Sequence, residues 1–505
     1  MLARILSATP WGVDARPVLV EVDVHMGLPQ MQIVGLPDAS VRESRERVRS
    51  AIKNSGFELP PRVVVVNLAP ADLKKEGNHL DLAIAVALLA ALDEIPPEAI
   101  EGRLLCGELG LDGSVRSVRG GLAIADCACR ESCGQLLLPA ANAGEAAALG
   151  SVPVVPLRSL AQAIDHLLGQ APIAPDRTPD HPPEVARAGP DLCDVRGQGA
   201  AKRALEVAAA GGHNLLFIGP PGSGKTMLAR RLPPILPPLN LAESIAVTKI
   251  HSLVAEEPPS RLLRQRPFRS PHSGISTAGL IGGGSIPRPG EVSLAHGGVL
   301  FLDELPEFKR DALEALRQPL EEGEVTVVRT RARFSFPARV ALLAAMNPCP
   351  CGHLGDPRHE CRCSPQLIER YRSRISGPLL DRIDMHVEVP ALELRELKGP
   401  PGEPSAAVAE RVLSARALQE QRFGSDCTTP TNAAMRAEAL DRHCLMEPEA
   451  QTLLDTAFER LRLSARAVTR ISKLARTIAD LDGCERIGAA HVAEAVQYRS
   501  LDRRT

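Results

Sequence analysis

The order of apolar and polar positions predicts alternating strands and helices in the first third of the chain. Residues 18–24 end in the apolar/polar alternation typical of a strand with one face in water. Residues 31–34 predict a second strand, bounded by turns that contain glycine and proline. Residues 40–55 are charged, with apolar side chains at helical spacing, and predict a surface helix. The continuous apolar run 63–66 predicts a buried strand, and residues 81–92 predict an apolar helix.

Changes in composition divide the chain into segments. Residues 172–190 are rich in Pro, Asp, Arg and Thr without periodicity, as expected of a linker. The proline- and glycine-rich residues 399–404 precede a region with helical patterns and no convincing strand. We therefore expect an N-terminal α+β domain over residues 1–168, a linker over 169–190, a central α/β domain over 191–395 and a helical domain over 396–505.

The central segment contains a sequence suited to binding nucleotide phosphates. The short apolar strand 215–218 is followed at once by Gly219-Pro-Pro-Gly-Ser-Gly-Lys-Thr226 and a helical start, which is the P-loop pattern in its strand–loop–helix context. The glycines let backbone N–H groups point at phosphate oxygens, and the helix N-terminus adds positive potential. Lys225 is expected to reach the β- and γ-phosphates, and Thr226 to bind Mg²⁺. The predicted nucleotide-binding residues are Gly219, Pro220, Pro221, Gly222, Ser223, Gly224, Lys225, Thr226 and Met227.

Two further apolar runs end in side chains suited to ATP hydrolysis. Residues 298–302 lead into Asp303 and Glu304. At the carboxyl edge of a parallel sheet, Asp303 would hold Mg²⁺ and Glu304 would polarise the attacking water. Residues 340–346 lead into Asn347, which can position that water. The alternative for Asn347 is a turn-forming residue before a proline.

Four arginines are candidates for sensing or stabilising the γ-phosphate. Arg374 and Arg382 follow the Asn347 strand, and either can stabilise transition-state charge from a neighbouring subunit. The alternative is a surface ion pair with a nearby aspartate. Arg466 and Arg470 share one helix face at a spacing of four residues. Arg466 is the stronger candidate for reading the γ-phosphate, and the alternative is a solvated face.

The cysteines indicate reduced thiols or a metal site. Twelve cysteines in 505 residues are too dilute for a disulfide scaffold. Four of them form a C-x-C, nine-residue, C-x-C pattern, at Cys349, Cys351, Cys361 and Cys363. Four thiolates could enclose one structural Zn²⁺ and would leave no open position for catalysis. The alternative is a set of unliganded thiols.

The charge balance limits how nucleic acid could bind. There are 59 basic and 61 acidic residues, so a DNA contact must come from a local basic feature. Arg329, Arg331 and Arg333 recur at a period of two and would share one face of a strand, where they could follow phosphates. The alternative is a solvated edge-strand face. A weaker basic feature precedes the glycine-rich residues 279–287 and comprises Arg264, Arg266 and Arg269.

Other function classes fit the composition poorly. Aromatic residues make up 2% of the chain, which argues against binding single strands mainly by stacking. The longest apolar run, residues 82–92, is too short to span a bilayer. The first ten residues show no secretory apolar region, so we expect a cytoplasmic protein without a membrane partner.

Taken together, these motifs resemble AAA+ ATPases of the magnesium-chelatase-like clade. Over nearly the whole chain the resemblance is to the YifB/ComM family of bacterial competence-related ATPases. It rests on Gly35-Leu-Pro-Asp38, Asn67-Leu-Ala-Pro70, Lys75-Glu-Gly77, Gly107-Glu-Leu109, Arg269-Ser-Pro-His-Ser273, Gly297-Gly-Val-Leu-Phe-Leu-Asp-Glu304, Ser376-Gly-Pro-Leu-Leu-Asp-Arg382 and Ala475-Arg-Thr-Ile-Ala-Asp-Leu481.

The resemblance implies a fold and an activity. The first domain would be similar to Lon-type protease domains (the ribosomal S5 domain 2-like fold), the central domain would be an AAA+ P-loop ATPase, and the last a helical lid. ATP and Mg²⁺ are the implied cofactors. The implied assembly is a homo-hexamer that moves along single-stranded or branched DNA and promotes branch migration. In related ATPases a hairpin lies just before the Asn347 strand and points into the pore of the ring.

The Lon-like domain lacks the residues for peptide hydrolysis. Lon uses a Ser–Lys pair, whereas this chain has Asn78-His79 after Gly77, and Leu122 and Ala123 where the lysine would align. Without a nucleophilic hydroxyl no acyl-enzyme can form, so we expect no protease activity. The lysine pair that precedes this stretch, Lys74 and Lys75, is expected to contact a partner or DNA.

Two other functions fit parts of the sequence. The first is the motor subunit of magnesium insertion into a porphyrin, which residues 1–168 argue against because that subunit usually lacks a Lon-like first domain. The second is a non-enzymatic scaffold, which Lys225, Asp303 and Glu304 argue against.

Overall fold

Contacts between residues divide the chain into two units. The computed structural model describes residues 2–75, 77–176, 189–255, 261–284, 288–329, 332–356, 358–392, 394–397, 399–424, 431–499 and 501. The first unit comprises residues 1–184, 240–264 and 328–336, and the second comprises 185–239, 265–327 and 337–505. The two predicted segments 191–395 and 396–505 therefore fall largely in one unit, and most of the predicted linker, residues 177–188, lies outside the described residues.

The first unit is built on a seven-stranded mixed sheet with helices on both faces. Its strands are β1 (Leu2–Trp11), β2 (Asp14–His25), β3 (Gln30–Val34), β4 (Val63–Ala69), β5 (Arg103–Leu105), β6 (Glu108–Leu109), β7 (Val115–Arg116), β8 (Gln135–Pro139) and β9 (Val154–Leu157). Its helices up to residue 168 are α1 (Ala39–Asn54), α2 (Asp81–Ala91), α3 (Gly121–Arg130), α4 (Ala140–Ala147) and α5 (Leu160–Leu167). The sheet order is β3-β4-β2-β1-β5-β8-β9, and β6 pairs separately with β7.

Alternating side chains of this sheet enter two separate cores. On β8, Leu137 joins the core formed with α1 and α2, whereas Leu136 and Leu138 join the core formed with α3 and α4. All eleven residues of α2 are buried, which explains why its sequence is uniformly apolar. Within the part of the chain that the structure describes, no helix is both long and apolar enough to cross a membrane.

The predicted elements of this region are confirmed with small differences. The strands at 18–24 and 31–34 and the helices at 40–55 and 81–92 are present as β2, β3, α1 and α2. The strand β1 was not predicted. The prediction of a buried strand at 63–66 is only partly right, because β4 buries alternate residues, Val66 and Leu68, and leaves the others half-exposed.

The elements after residue 198 form most of the second unit. In chain order they are α6 (Gly199–Gly211), β10 (Leu215–Ile218), α7 (Lys225–Ala229), α8 (Leu241–Ser252), β11 (Phe268–Arg269), α9 (Thr277–Ile281), β12 (Gly282–Gly283), β13 (Arg288–Pro289), α10 (Glu291–Leu294), β14 (Val299–Leu302), α11 (Arg310–Ala315), α12 (Arg317–Glu322), β15 (Glu324–Arg329), β16 (Ala332–Pro337), β17 (Ala341–Met346), α13 (Pro365–Arg372), α14 (Gly377–Leu380), β18 (Met385–Glu388), α15 (Leu394–Leu397), α16 (Ser405–Phe423), α17 (Ala437–His443), α18 (Pro448–Leu461), α19 (Ala465–Leu481) and α20 (Ala489–Gln497).

A parallel five-stranded sheet in the order β11-β14-β17-β10-β18 is the centre of the second unit. Both faces are buried, as is usual for parallel sheets. Leu215 and Phe217 of β10 pack into one core, and Leu216 and Ile218 into the other. The first of these cores also contains residues of α16, α18, α19 and α20, so the C-terminal helices and the sheet share one hydrophobic core.

Helix α8 belongs to the first unit, although it lies far along the chain from the sheet of that unit. Lys249 of α8 places its Nζ 3.1 Å from Asp14 Oδ1 and 3.0 Å from Asp126 Oδ2. The ring of Phe334, on β16, lies 4.8 Å from that of Trp11 between centroids. These contacts join residues distant in sequence, and the apolar pattern of the chain does not predict them.

Candidate functional site

The loop after β10 has the backbone that phosphate binding needs. Gly222 and Gly224 have φ angles of +75° and +90°, in the left-handed region that glycine adopts without strain. At Gly219 an added Cβ would lie 2.1 Å from the carbonyl oxygen of Val389, so only glycine fits there. Helix α7 begins at Lys225, directly after the loop. The predicted strand–loop–helix context is therefore present.

The side chain of Lys225 reaches back to the first residues of this loop. Its Nζ donates to the carbonyl oxygens of Gly219 at 2.7 Å and Pro220 at 2.9 Å, and to Asn347 Oδ1 at 3.2 Å. Burial lowers the pKa of Lys225, and the charges of two nearby acidic side chains oppose that shift. The amine is thus held next to the side chain of Asn347, which directly follows β17.

The hydroxyl of Ser223 indicates that the loop can take a ligand. Ser223 is buried, and among the described residues its Oγ has no hydrogen-bond partner. A buried hydroxyl without a partner is costly, and a phosphate oxygen would satisfy it. The carbonyl oxygen of Ser223 accepts from Nε2 of Gln198 at 3.3 Å, which also donates to Pro390 at 2.8 Å. Sequence reasoning missed Gln198, whose only signal is its position between two glycines before α6.

The two predicted acids follow β14. Asp303 Oδ2 accepts from Thr226 Oγ1 at 2.7 Å, and Asp303 Oδ1 accepts from the backbone N–H of Glu304 at 3.0 Å. Glu304 has φ +53° and ψ 48°, a left-handed conformation that is uncommon for a residue with a side chain. Strained backbone of this kind is concentrated at functional sites. Thr226 and Asp303 provide the oxygen ligands that Mg²⁺ prefers.

Sheet topology explains why these side chains meet. Strand β17 lies between β10 and β14, and all three run parallel, so their carboxyl ends share one edge of the sheet. Ligands of open α/β sheets bind at that edge. The structure brings together Lys225, Thr226, Asp303 and Asn347, with Glu304 next in the chain.

Arg374 and Arg382 are paired with glutamates and not with the neighbouring aspartates. Arg374 is half-exposed and lies 2.9 Å from Glu307 Oε1. Arg382 lies 2.7 Å from Glu321 Oε2 and donates to the carbonyl of Pro378 at 2.6 Å. Among the described residues, both arginines contact residues outside the phosphate loop, and their role toward a neighbouring subunit stays a prediction.

Arg466 and Arg470 have different surroundings, although both lie on α19. Arg466 is 73% exposed, and its Nη1 lies 3.4 Å from Asp381 Oδ2. Arg470 is paired with Asp384, a buried residue whose Oδ2 also accepts from the backbone N–H of Asn214 at 3.0 Å. Although burial opposes it, His213, Arg470 and the Asn214 N–H together hold the pKa of Asp384 well below its usual range. Arg470 therefore has a structural role, and the γ-phosphate role of Arg466 stays a prediction.

The arginine repeat lies on a hairpin. Arg329 ends β15 and Arg333 lies on β16, so the prediction that the three arginines share one face of a single strand is wrong. Arg331 lies outside the described residues. β15 and β16 form a two-stranded sheet just before β17, where the family resemblance implies a hairpin. DNA binding by these arginines stays a prediction.

The weaker basic feature is largely structural. Arg266 donates to the carbonyl oxygens of Pro237 and Gly297, each at 2.5 Å. Arg269 forms a two-point ion pair with Glu291 at 2.6 and 2.7 Å. Both guanidinium groups thus hold segments of the second unit together. Residues 285–287 of the glycine-rich stretch lie outside the described residues.

In the first unit, the prediction that Lys75 contacts a partner or DNA is wrong. Lys75 is fully buried, and its Nζ donates to the carbonyl oxygen of Pro70. His79 is also buried, which lowers its pKa to about 4 and keeps the ring neutral at physiological pH. Leu122 and Ala123 belong to the core. A partner contact by Lys74 stays a prediction.

The four cysteines of the C-x-C pairs converge. The Sγ–Sγ distances are 3.4 Å between Cys349 and Cys351, and 3.7 Å from Cys361 to each of them. All four sulfurs, including that of Cys363, lie within 4.8 Å of one another. A tetrahedral Zn²⁺ site with Zn–S bonds of about 2.3 Å has sulfurs about 3.8 Å apart. The sulfur positions therefore fit one four-coordinate thiophilic cation.

Backbone N–H groups are directed at these sulfurs. Donation by the N–H groups of His353 and Arg362 lowers the pKa of Cys351 to about 6. The N–H of Cys363 donates to Cys361, and that of Cys351 donates to Cys363. Such N–H···S bonds favour thiolates, which are the form that binds metal, whereas burial and the neighbouring sulfurs raise the pKa of Cys361 and Cys363.

A second cluster, formed by His353, Asp356 and His359, lies between the two C-x-C pairs of the same loop. The side-chain oxygens of Asp356 accept from the backbone N–H of Arg358 at 2.9 Å and from Nδ1 of His359 at 3.1 Å. The ring of His353 lies 4.8 Å from that of His359 between centroids. Donation by the Arg358 N–H is the main cause that lowers the pKa of Asp356 to about 2. Internal hydrogen bonds thus account for this cluster.

Comparison with known proteins places the chain in a family. Family models described as magnesium chelatase, subunit ChlI, as subunit ChlI of Mg-chelatase and as its C-terminal part match residues 191–397, 20–142 and 402–499. An uncharacterized protein YifB of Salmonella typhimurium is 43% identical over 99% of this chain and 98% of its own length. The chain belongs to the YifB/ComM family of magnesium-chelatase-like proteins. The family resemblance seen in the sequence is thus confirmed.

Two other relatives bear on the function and the fold. The competence protein ComM of Haemophilus influenzae is 44% identical over 99% of this chain and 98% of its own length. Lon protease 2 of Bacillus subtilis is 30% identical over 142 residues, which is 26% of this chain and 25% of that protein. The match to ComM covers nearly the full length of both chains. The match to the Lon protease covers about a quarter of each chain.

Proposed function

We propose that the chain is an ATP-hydrolysing AAA+ motor with a Lon-like first domain. The observation that carries this proposal is the meeting of Lys225, Thr226, Asp303 and Asn347 at the carboxyl edge of one parallel sheet. The partial match to a Lon protease supports the first domain. Because the second unit has a complete set of P-loop residues, hydrolysis of ATP is the activity that it supports best.

Each residue has a distinct task in that reaction. Lys225 and the loop N–H groups bind the β- and γ-phosphates, and the Ser223 hydroxyl adds a donor. Thr226 and Asp303 would hold Mg²⁺, which would neutralise the charge that develops on the phosphates. Glu304 polarises the attacking water, and Asn347 orients it.

We further propose that the motor is a homo-hexamer that moves along single-stranded or branched DNA. It would promote branch migration in recombination during natural transformation. The name of the ComM relative supports a role in competence. In the hexamer Arg382 and Arg374 would stabilise the transition state at the site of the adjacent subunit, and Arg466 would read the γ-phosphate.

The test is ATP hydrolysis by the purified full chain with and without four-way-junction DNA. We expect DNA to raise turnover severalfold and Lys225→Ala to reduce it to background with or without DNA. ATP turnover that is the same with and without every form of DNA would contradict the DNA motor and leave only the ATPase activity of the proposal. No turnover by the unaltered chain would reject both.

The hairpin arginines are tested by the salt dependence of DNA binding. We expect the double variant Arg329→Ala, Arg333→Ala to weaken binding and to reduce the slope of log K against log[salt] by up to about 2, because each lost phosphate contact removes about one. The control is Arg45→Ala, Arg49→Ala on helix α1, which removes the same charge elsewhere. Equal slopes for the hairpin variant and the unaltered chain would contradict the hairpin assignment.

A second candidate function is a motor subunit for magnesium insertion into a porphyrin. It is favoured by the three matching models, each described after the chelatase subunit ChlI. The same ATPase assay discriminates the two functions when a porphyrin and the partner subunits of a chelatase replace DNA. Stimulation by these components and not by DNA would select the chelatase function.

We also propose that the four-cysteine cluster holds one structural Zn²⁺. The sulfur spacing and the N–H donors support a tetrahedral thiolate site, for which Zn²⁺ and iron are the usual ions. Elemental analysis of protein purified without added metal measures this directly, and we expect about one Zn²⁺ per chain.

A further inference from the structure

The four-cysteine loop begins inside the nucleotide site. Asn347 directly follows β17, and Cys349 comes two residues later. Asn347 accepts from Lys225, the central side chain of the phosphate loop, at 3.2 Å. A shift of Cys349 would therefore displace Asn347, which is two residues away and contacts the phosphate-binding Lys225.

The same loop also packs directly on the phosphate loop. Gly352 has a φ of +82°, and an added Cβ would lie 2.6 Å from Cδ and 2.8 Å from Cγ of Pro221. Its N–H donates to the carbonyl oxygen of Cys349 at 3.0 Å, so the turn that brings Cys349 and Cys351 together also presents Gly352 to the phosphate loop. The close contact requires both the left-handed backbone and the missing side chain.

Helix α13 holds the other side of this segment. Arg372 donates from Nε and Nη2 to the carbonyl oxygen of Pro348, at 3.4 and 3.3 Å. Residues 347–352 thus lie between the phosphate loop and α13, and the sulfur cluster joins them to the returning part of the loop at Cys361.

We propose that the cation in the four-cysteine cluster positions Asn347 and Pro221, and thereby sets the affinity of the phosphate loop for ATP. The proposal rests on the proposed Zn²⁺ site. A tetrahedral ion fixes the distance between the two C-x-C turns, which hydrogen bonds between neutral thiols do not. Without it the Gly352 turn loses its fixed position against Pro221. The cluster is then a positioning element of the ATP site, although no cysteine touches ATP.

The first test uses Cys361→Ser, which removes the ligand on the returning side of the loop and leaves residues 347–352 unaltered. We expect bound zinc to fall from about one per chain to below a tenth, and the dissociation constant of a fluorescent ATP analogue to rise about tenfold. KM should rise more than kcat falls, because the lesion lies in phosphate binding. The control is Cys484→Ser, an exposed thiol outside the cluster, with zinc content and affinity unchanged.

A second variant keeps the test decisive if Cys361→Ser fails to fold. Gly352→Ala retains all four thiols, so we expect normal zinc content and a dissociation constant raised about tenfold by the displaced Pro221. Chelator-stripped wild-type protein, returned to Mg²⁺ buffer, should lose affinity and regain it when Zn²⁺ is added.

The outcomes separate the two proposals. Purified protein without zinc or iron would overturn the metal site, and the inference with it. Metal-containing protein whose nucleotide affinity is unchanged after stripping would overturn the inference alone. Retention of full affinity by Gly352→Ala would likewise show that the loop does not position Pro221.

Discussion

Replacing Glu304 by glutamine is expected to lower ATP hydrolysis by at least about a hundredfold and to leave ATP binding intact. In the proposed mechanism the carboxylate polarises the attacking water, and general-base catalysis is typically worth about 10²–10⁴ in rate. Binding depends on the loop N–H groups, Lys225 and the Thr226–Asp303 pair, none of which the substitution removes. Single-turnover hydrolysis and the dissociation constant of a fluorescent nucleotide measure the two effects separately.

Two further variants define what this result means. Glu322→Gln makes the same chemical change on the exposed face of α12, where the carboxylate contacts Gln318 at 2.7 Å, and should hydrolyse ATP normally. Lys225→Ala should lose binding together with turnover. A Glu304→Gln protein that turns over ATP within a few-fold of wild type would assign the water-polarising role to another group.

The nucleotide site was predictable because its signals are local and its assembly follows from topology. Asp303 and Asn347 directly follow apolar runs, the phosphate loop follows a third, and parallel strands carry their ends to one edge of the sheet. The apolar runs identified three strands of the sheet, whereas the contact between Lys225 and Asn347 came from the structure. The convergence of the cysteines was likewise visible in their spacing.

Other features depend on partners that are distant in sequence. Arg266 follows the same basic pattern as a DNA-binding residue, yet backbone carbonyls of Pro237 and Gly297 take up its donors. The sequence predicts an exposed charge at Lys75, but the fold buries this side chain against Pro70. Sequence spacing identifies a charged side chain and does not tell whether tertiary structure buries it.

Removing Arg470 is expected to be the most destabilising single change considered for the second unit. Arg470→Met leaves the carboxylate of Asp384 buried without its guanidinium partner, and breaking a buried ion pair from one side typically costs about 3–5 kcal/mol. The remaining contacts, His213 Nδ1 at 3.6 Å and the Asn214 N–H at 3.0 Å, carry no full charge when His213 is neutral, as its lowered pKa indicates. Urea unfolding of the full chain, followed by circular dichroism, measures the loss.

The pH dependence and a matched variant separate this pair from a surface ion pair. The pKa of Asp384 is depressed in the folded wild type, so its stabilising contribution is present above the unfolded value of about 3.9 and is lost as the pH falls through the lower folded value. In Arg470→Met the pKa of Asp384 rises, and the loss of stability relative to wild type should therefore be full near neutral pH and shrink on acidification.

Arg466→Met, one turn earlier on α19 with the exposed partner Asp381, should change stability by less than about 0.5 kcal/mol at any pH. Because Arg466 is proposed to read the γ-phosphate, the Arg466→Met variant should lose ATP turnover instead. Equal destabilisation by the two variants would contradict the distinction between a buried structural arginine and an exposed functional one.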